Sequence, residues 1–193
     1  MGNVLAKESG GRMKYFLVST EANNNPMPQI TDWHEQINPR DITLERAGNI
    51  PQWVRLSINN GADAVFSDIL SVPGYLVSSM VRGVMKLYDP YIQYRQMVLF
   101  NKRERVMELY HLPILPVRDC LLPESELSRD KSKIIRGVIG LEEKKQCRPI
   151  IKLGGVAATH IAFRLDIVES ILRRGAKGLK LVELEVKVPG ITV

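Results

Sequence analysis

Residues 166–188 read DIVESILRRGAKGLKLVELEVKV, and this stretch decides the fold class. Its first half has helical spacing, with Val168, Ile171 and Leu172 as the buried stripe. Asp166 and Glu169 stand at N-cap and N3 spacing, close to a capping box. Arg173 and Arg174 fall in the last turn, where cations suit the helix dipole, and Gly175 suits the left-handed position that ends a helix. From Leu179 the period switches to two: Val182, Leu184, Val186 and Val188 alternate with Glu183, Glu185 and Lys187. Leu179 and Leu181 are in the opposite phase. Either the strand flips faces there or a bulge near Leu181 absorbs the slip, with burial on both faces at the start of the strand and a solvated face later.

Working outward, the pattern is mostly strands. Residues 150–153 and 134–139 read as strands, with Gly137, Gly140, Gly154 and Gly155 marking turns, bulges or close backbone approach. Residues 91–100 and 105–112 read as a hairpin around NKRE at 101–104, although that loop has no glycine. A second helix is expected over 74–88, entered through Ser71 and Pro73 and stopped by Asp89-Pro90. Leu76, Met80, Val84 and Leu87 fall on one stripe of it, and Ser79, Arg82 and Lys86 on another. Residues 54–58 and 13–18 add strands, and 64–70 a short extended segment. NNNPMP at 23–28 and LLPESELSRDKSK at 121–133 are loops.

The order lacks the regular βαβα alternation of a doubly wound sheet. The expectation is α+β, with mostly antiparallel or mixed sheets and two main helices at about 74–88 and 166–174. Residues 1–12 read as a flexible N-terminal extension or an expression remnant. Residues 13–193 read as a single α+β domain, with room for two lobes meeting near 113–133.

The 193 residues are 45% hydrophobic and 25% charged, ordinary fractions for a folded chain. No apolar run approaches a membrane span, and no basic region followed by an apolar one opens the chain, so a cytoplasmic protein is expected. Cys120 and Cys147, far apart in sequence, read as free thiols. The net charge of +6 is uneven: residues 1–112 hold 12 Lys and Arg against 11 Asp and Glu, and residues 113–193 hold 15 against 10. That excess favours an acidic partner surface or nucleic acid.

Motifs of catalysis are few. His34-Glu35 begins like a zinc-protease helix, but Asn38 stands where the second histidine belongs. His111 and His160 read as structural. There is no G-x-S-x-G elbow, and Lys152-Leu153-Gly154-Gly155 lacks the Gly-Lys-Ser/Thr of a phosphate loop. Glu142-Glu143 and Glu124 with Glu126 lie in hydrophilic runs that would not shift their pKa values. No metal or cofactor is implied. A hydrolase site from His160, Asp166 and Cys147 is a minor reading. Trp33 and Trp53 would anchor an interface if exposed.

Four segments carry a resemblance: MKYFLVST at 13–20, SDILSVPGYLVSS at 67–79, YHLPILPVRDCLLPESE at 110–126 and RLDIVESILRRGAKGLKLVELEV at 164–186. Together they resemble the myxobacterial-type immunity-protein family of bacterial polymorphic toxin systems, long carried as a domain of unknown function. The resemblance spans about residues 13–188. It implies a cytoplasmic protein that binds and neutralises a cognate toxin, with no catalytic residues. The family follows its Asp-Cys-Leu with another acidic residue, whereas Asp119-Cys120-Leu121 leads here to Leu122-Pro123. The expected partner is the toxin protein, with no membrane. The expected contacts are Lys144, Lys145, Arg173, Arg174 and Lys177. The alternative is a nucleic-acid-associated regulator using the same basic face, which salt-sensitive binding would reveal.

Overall fold

The computed structural model describes residues 13–21, 27–60, 64–141 and 148–187. The first strand, β1 (Tyr15–Thr20), is followed by a single-turn helix, α1 (Trp33–Gln36), and two 3₁₀ turns at Pro39–Asp41 and Ala47–Asn49. Then come β2 (Trp53–Ser57), β3 (Ile69–Leu70), β4 (Leu76–Ser78) and the helix α2 (Ser79–Tyr88). The hairpin β5 (Gln93–Asn101) and β6 (Val106–Ile114) leads through β7 (Val117–Arg118), β8 (Glu126–Leu127), β9 (Ile134–Arg136), β10 (Val138–Gly140) and β11 (Ile150–Leu153). The chain closes with β12 (Ile161–Arg164), α3 (Leu165–Arg173) and β13 (Leu179–Lys187).

These elements make an α+β fold. A six-stranded sheet has the order β10-β13-β1-β12-β11-β7, a five-stranded sheet the order β2-β5-β6-β4-β3, and β8 and β9 form a small ribbon. Most pairs are antiparallel; β10 with β13, β11 with β7, and β2 with β5 are parallel. The two larger sheets meet where β1 ends. Thr20 Oγ1 donates to the Ile69 carbonyl at 2.9 Å and accepts from the Ser71 amide at 2.8 Å.

Three clusters of buried apolar side chains explain the layers. The first joins both sheets to α2 and α3 through Val18, Val77, Val81, Met85, Phe163 and Ile167. The second backs the five-stranded sheet, where Leu56, Met97, Leu99 and Leu112 pack against Trp33, Ile37 and Ile50. The third fills the other side of the six-stranded sheet with Tyr15, Leu17, Ile139, Leu153 and Leu184. Trp33 can lie flat against its neighbours because residue 74 is glycine; a Cβ there would overlap the indole.

The phase slip in β13 is resolved without a bulge. The strand pairs with β1 in unbroken register from Thr20↔Leu179 to Tyr15↔Leu184. Leu179 and Leu181 face the first cluster, and Val182, Leu184 and Val186 the third. Apolar side chains are taken up on both faces at the start of the strand, and beyond Val182 one face turns to solvent with Glu183 and Lys187.

Both main helices differ from expectation in their starts. The helix expected over 74–88 begins at Ser79, because Leu76 and Val77 insert as a strand between β3 and β6 and are fully buried there. Ser78 is its N-cap, accepting from the Val81 amide at 3.3 Å, in place of Ser71. Its buried residues are Val81, Val84 and Met85, and Leu87 is exposed. At α3, β12 runs directly into the helix, so Arg164 takes the cap position and Asp166 lies inside the first turn. Asp166 is held there by the Arg164 guanidinium at 2.9 and 2.7 Å. Ile167, Val168 and Ile171 are buried, whereas Leu172 is exposed. The C-terminus of α3 is as expected. Gly175 has φ +77°, its amide donates to the Leu172 carbonyl, and the Ala176 amide donates to that of Ile171.

The β5–β6 loop closes without glycine because Arg105 takes a left-handed φ of 56° and Asn101 Oδ1 accepts from the amides of Arg103 and Glu104. The strand expected over 134–139 is split at Gly137: β9 joins the ribbon and β10 the six-stranded sheet. No helix among the described residues is long and apolar enough to cross a membrane.

Candidate binding face and basic cleft

Side chains alternate across a strand, so the register of β2, β5 and β6 fixes which residues share a face. One face of these strands carries three rows: Trp53–Gln96–His111, Arg55–Val98–Leu109 and Ser57–Phe100–Met107. The other face is the second apolar cluster. α2 leaves β4 and covers the β3–β4 end of the first face, above Ile69 and Val77. The β2–β5–β6 end is left open: Trp53 is 65% exposed, Met107 68% and Leu109 43%. Val98 and Phe100 lie half-buried between them, and the Arg55 guanidinium sits 5.8 Å from the Phe100 ring centroid. Contiguous exposed apolar side chains rimmed by charge mark interaction surfaces.

Where the open face meets α2 there is a cleft of about 260 Å³, lined by Gln52, Trp53, Arg82, Lys86, Ile92, Tyr94, Gln96 and His111. Every wall has a sequence reason. Arg82 and Lys86 are one turn apart on the α2 stripe that turns away from the core. Ile92, Tyr94 and Gln96 are alternate residues of β5 and its approach. His111 lies beside Gln96 in the same row. Trp53 stands between this cleft and a second hollow of about 360 Å³ lined by Asp32, Gln36, Pro51 and Arg55.

The chemistry of the cleft is unusual in one respect. Three buried polar atoms without a hydrogen-bond partner are Arg82 Nε, Tyr94 Oη and His111 Nδ1, and all three residues line it. Buried polar groups are nearly always satisfied, so such a group calls for an explanation. His111 is 1% exposed and reaches Ser79 Oγ through Nε2 at 3.0 Å. Burial, then the charges of Arg82 and Lys86, push its pKa from 6.5 down to about 4, so it is neutral at pH 7. Burial raises the pKa of the Tyr94 hydroxyl, opposed by Arg82 and assisted by Asp89, so it stays a donor. The Lys86 ammonium lies 5.8 Å from the Tyr94 ring centroid, and the His111 ring packs edge-on to Tyr94. No acidic side chain among the described residues forms an ion pair with Arg82 or Lys86. Some surface cations elsewhere are paired, Lys14 with Glu183, Arg136 with Glu185 and Lys187 with Glu124, while others such as Lys102, Arg118 and Lys180 stand in solvent without an ion pair among the described residues.

Of the expected contact residues, Arg173, Arg174 and Lys177 do not line this cleft. Lys144 and Lys145 are outside the described residues, as are Cys147 and residues 1–12. Arg173 and Arg174 are exposed at the end of α3, where Arg173 pairs with Glu169 at 3.0 Å and Arg174 donates to the Ser170 carbonyl and hydroxyl. Lys177 is exposed next to them, its amide donating to Asp68. His160 Nε2 is 2.8 Å from the Ser132 carbonyl oxygen, and Asp166 is engaged by Arg164. His34 is exposed, and no group of three potential metal ligands gathers among the described residues.

Sequence reasoning read His111 as structural and at a strand end. It is inside β6 and central to the cleft. Tyr94, Gln96 and Gln52 were not singled out. The usable signals were the basic stripe of Arg82 and Lys86 on an otherwise apolar helix, and Trp53, which is the exposed member of the tryptophan pair. Comparison with protein-family models and with curated proteins finds no match to the chain.

Proposed function

We propose that the protein is an immunity protein, binding a cognate toxin stoichiometrically and blocking it with the open face of β2, β5 and β6. The observation that carries this reading is the pairing of that apolar face with a basic cleft whose cations lack acidic partners. Neutralising a toxin by occlusion needs a complementary surface with a few anchors and matched charge, and no chemistry from the inhibitor. Trp53, Leu109 and Met107 are the apolar anchors. Arg55, Arg82 and Lys86 set the charge preference, which is for an acidic protein surface. The resemblance of the four sequence segments points the same way.

The test is co-expression of the full chain with the toxin encoded beside it, read as growth rescue and as a one-to-one complex. Wild type is expected to restore growth, and Leu109→Asp with Met107→Asp to abolish both rescue and complex. Charge reversal at Arg173, Arg174, Lys177, Lys144 and Lys145 tests the rival basic patch. Loss of rescue there, with Leu109→Asp still active, moves the interface to the end of α3. Failure of wild type to rescue, together with salt-sensitive retention of nucleic acid, replaces the reading with that of a nucleic-acid regulator.

A further inference from the structure

We infer that the cleft between α2 and β5–β6 is a carboxylate-binding site, in which Arg82 and Lys86 hold an acidic side chain presented by the protein partner. That the carboxylate comes from a partner rests on the function proposed above; the chemistry of the site does not.

The argument starts from the three unpartnered buried atoms. Arg82 Nε–H and Tyr94 Oη–H are donors. His111 Nδ1 is a third donor in the Nδ1–H tautomer, in which Nε2 accepts a hydrogen bond from the Ser79 hydroxyl, an arrangement the 3.0 Å contact allows. The ammonium of Lys86 and the amides of Gln52 and Gln96 stand at the same opening. These atoms are closed to solvent as the side chains stand, so an anionic oxygen at the opening satisfies the set by drawing the Arg82 and Tyr94 side chains toward it, and charge-assisted bonds of this kind are the strong ones.

The lining selects among oxyanions. Phosphate sites are commonly built from backbone amides at a helix N-terminus or a glycine-rich nest. Here the eight lining residues include no glycine, and the N-terminal turn of α2 is capped by its own Ser78. Trp53 and Ile92 supply apolar walls, which suit the methylene stem of an aspartate or glutamate. The rows of Val98 with Leu109 and Phe100 with Met107 continue outward from the cleft. A partner segment carrying an acidic residue with apolar neighbours therefore meets the cleft and the open face together.

The experiment uses the full chain, labelled with ¹⁵N, titrated with propionate and separately with inorganic phosphate at constant ionic strength. Propionate is expected to shift the Arg82 Nε–H and the His111 ring nitrogens saturably, in the millimolar range suited to so small a ligand. His111 is expected to settle with its proton on Nδ1. Arg82→Met and, independently, the more exposed Lys86→Gln should each weaken binding by roughly tenfold or more. Arg129→Gln, at a distant exposed site, should leave it unchanged. No saturable shift with propionate overturns the inference, and so does tighter binding of phosphate to the same groups. Propionate binding without toxin rescue removes the immunity reading and leaves the carboxylate site. Rescue with no propionate response, and undiminished by Arg82→Met, does the reverse.

Discussion

The two larger sheets of this protein are dressed differently. The six-stranded sheet has a buried apolar cluster against each face, and β13 shows it: Leu179 and Leu181 face one and Leu184 and Val186 the other, while the side chains its later part leaves exposed are the charged Glu183 and Lys187. The five-stranded sheet is covered on one face and left open over β2, β5 and β6 on the other. A sheet with an apolar cluster on each side spends its apolar residues on stability. A sheet with an exposed Trp, Met and Leu in adjoining rows holds apolar surface that folding does not use, and that surface is available to a partner.

The largest effect that could break this contrast compares Leu99 with Leu109. They lie on adjacent strands of one sheet but on opposite faces, Leu99 fully buried and Leu109 open. Leu99→Ala should cost about 2–5 kcal/mol from lost burial and the cavity left behind. Leu109→Ala should change stability by less than about 0.5 kcal/mol while weakening the proposed complex with a toxin. Urea titration measures both. Equal losses of stability would mean that the open face is part of the core.

The covered face depends on a buried cation. Arg95 reaches from β5 through the second cluster, its Nε donating to the Ile50 carbonyl at 2.9 Å and an Nη to that of Ala47 at 2.8 Å. These bonds hold the 3₁₀ turn of Ala47–Asn49 over the sheet. Arg95→Leu leaves the Ile50 carbonyl without its donor and the Ala47 carbonyl with the Ile50 amide alone, and should cost about 2–4 kcal/mol. If the cover peels away locally, amide exchange should accelerate first at Asn49 and Ile50, with β12 and β13 unaffected.

How far the sequence disclosed this contrast depends on the residue. Alternation in β13 and the two strands of the β5–β6 hairpin were readable, because a half-buried or doubly buried strand writes its environment into its period. The start of α2 was not. Leu76 and Val77 continue a helical spacing but are taken by β4, whose partners β3 and β6 lie elsewhere in the chain, so tertiary pairing overrode the local pattern. The cleft was legible only in parts. Arg82 and Lys86 marked a polar stripe, but Gln96 meets His111 through β5–β6 register, and no single-segment pattern carries that. The position of His111 was misplaced for the same reason: beside Leu112-Pro113 it looks like the end of a strand, while the structure continues β6 to Ile114.

The histidine offers a pH test of the open side. Its folded pKa, about 4, lies below the ordinary 6.5. Between those values the unfolded chain binds the proton and the folded protein does not, so stability falls as pH drops from about 6.5 to about 4 and is not lost further below that. Burial of the ring imposes most of this, followed by the charges of Arg82 and Lys86 on α2. His111→Gln should flatten the dependence of the melting temperature in this window. A carboxylate bound beside Arg82 would offset the cationic field, so saturating propionate should raise the apparent pKa of His111 in wild type. An unchanged pKa would place the anion elsewhere.

The smallest effect concerns sign more than size. Arg173 and Glu169 form an exposed pair one turn apart on α3, at 3.0 Å, and removing it with Arg173→Gln should cost about 0.3–0.5 kcal/mol. Arg82 and Lys86 have the same spacing on α2 but like charge, and Arg82 Nε is buried without a partner. Arg82→Met removes the repulsion and the unsatisfied donor while keeping the apolar stem. It should therefore stabilise the isolated protein, by about 0.5 kcal/mol. Denaturation midpoints at low and high salt separate the two cases: added salt should shrink the loss at Arg173 and the part of the gain at Arg82 that comes from repulsion. A stabilising Arg82→Met that also loses propionate would tie the cleft to binding at the expense of stability. A destabilising one would instead make Arg82 a structural member of α2, with its field already satisfied inside the fold.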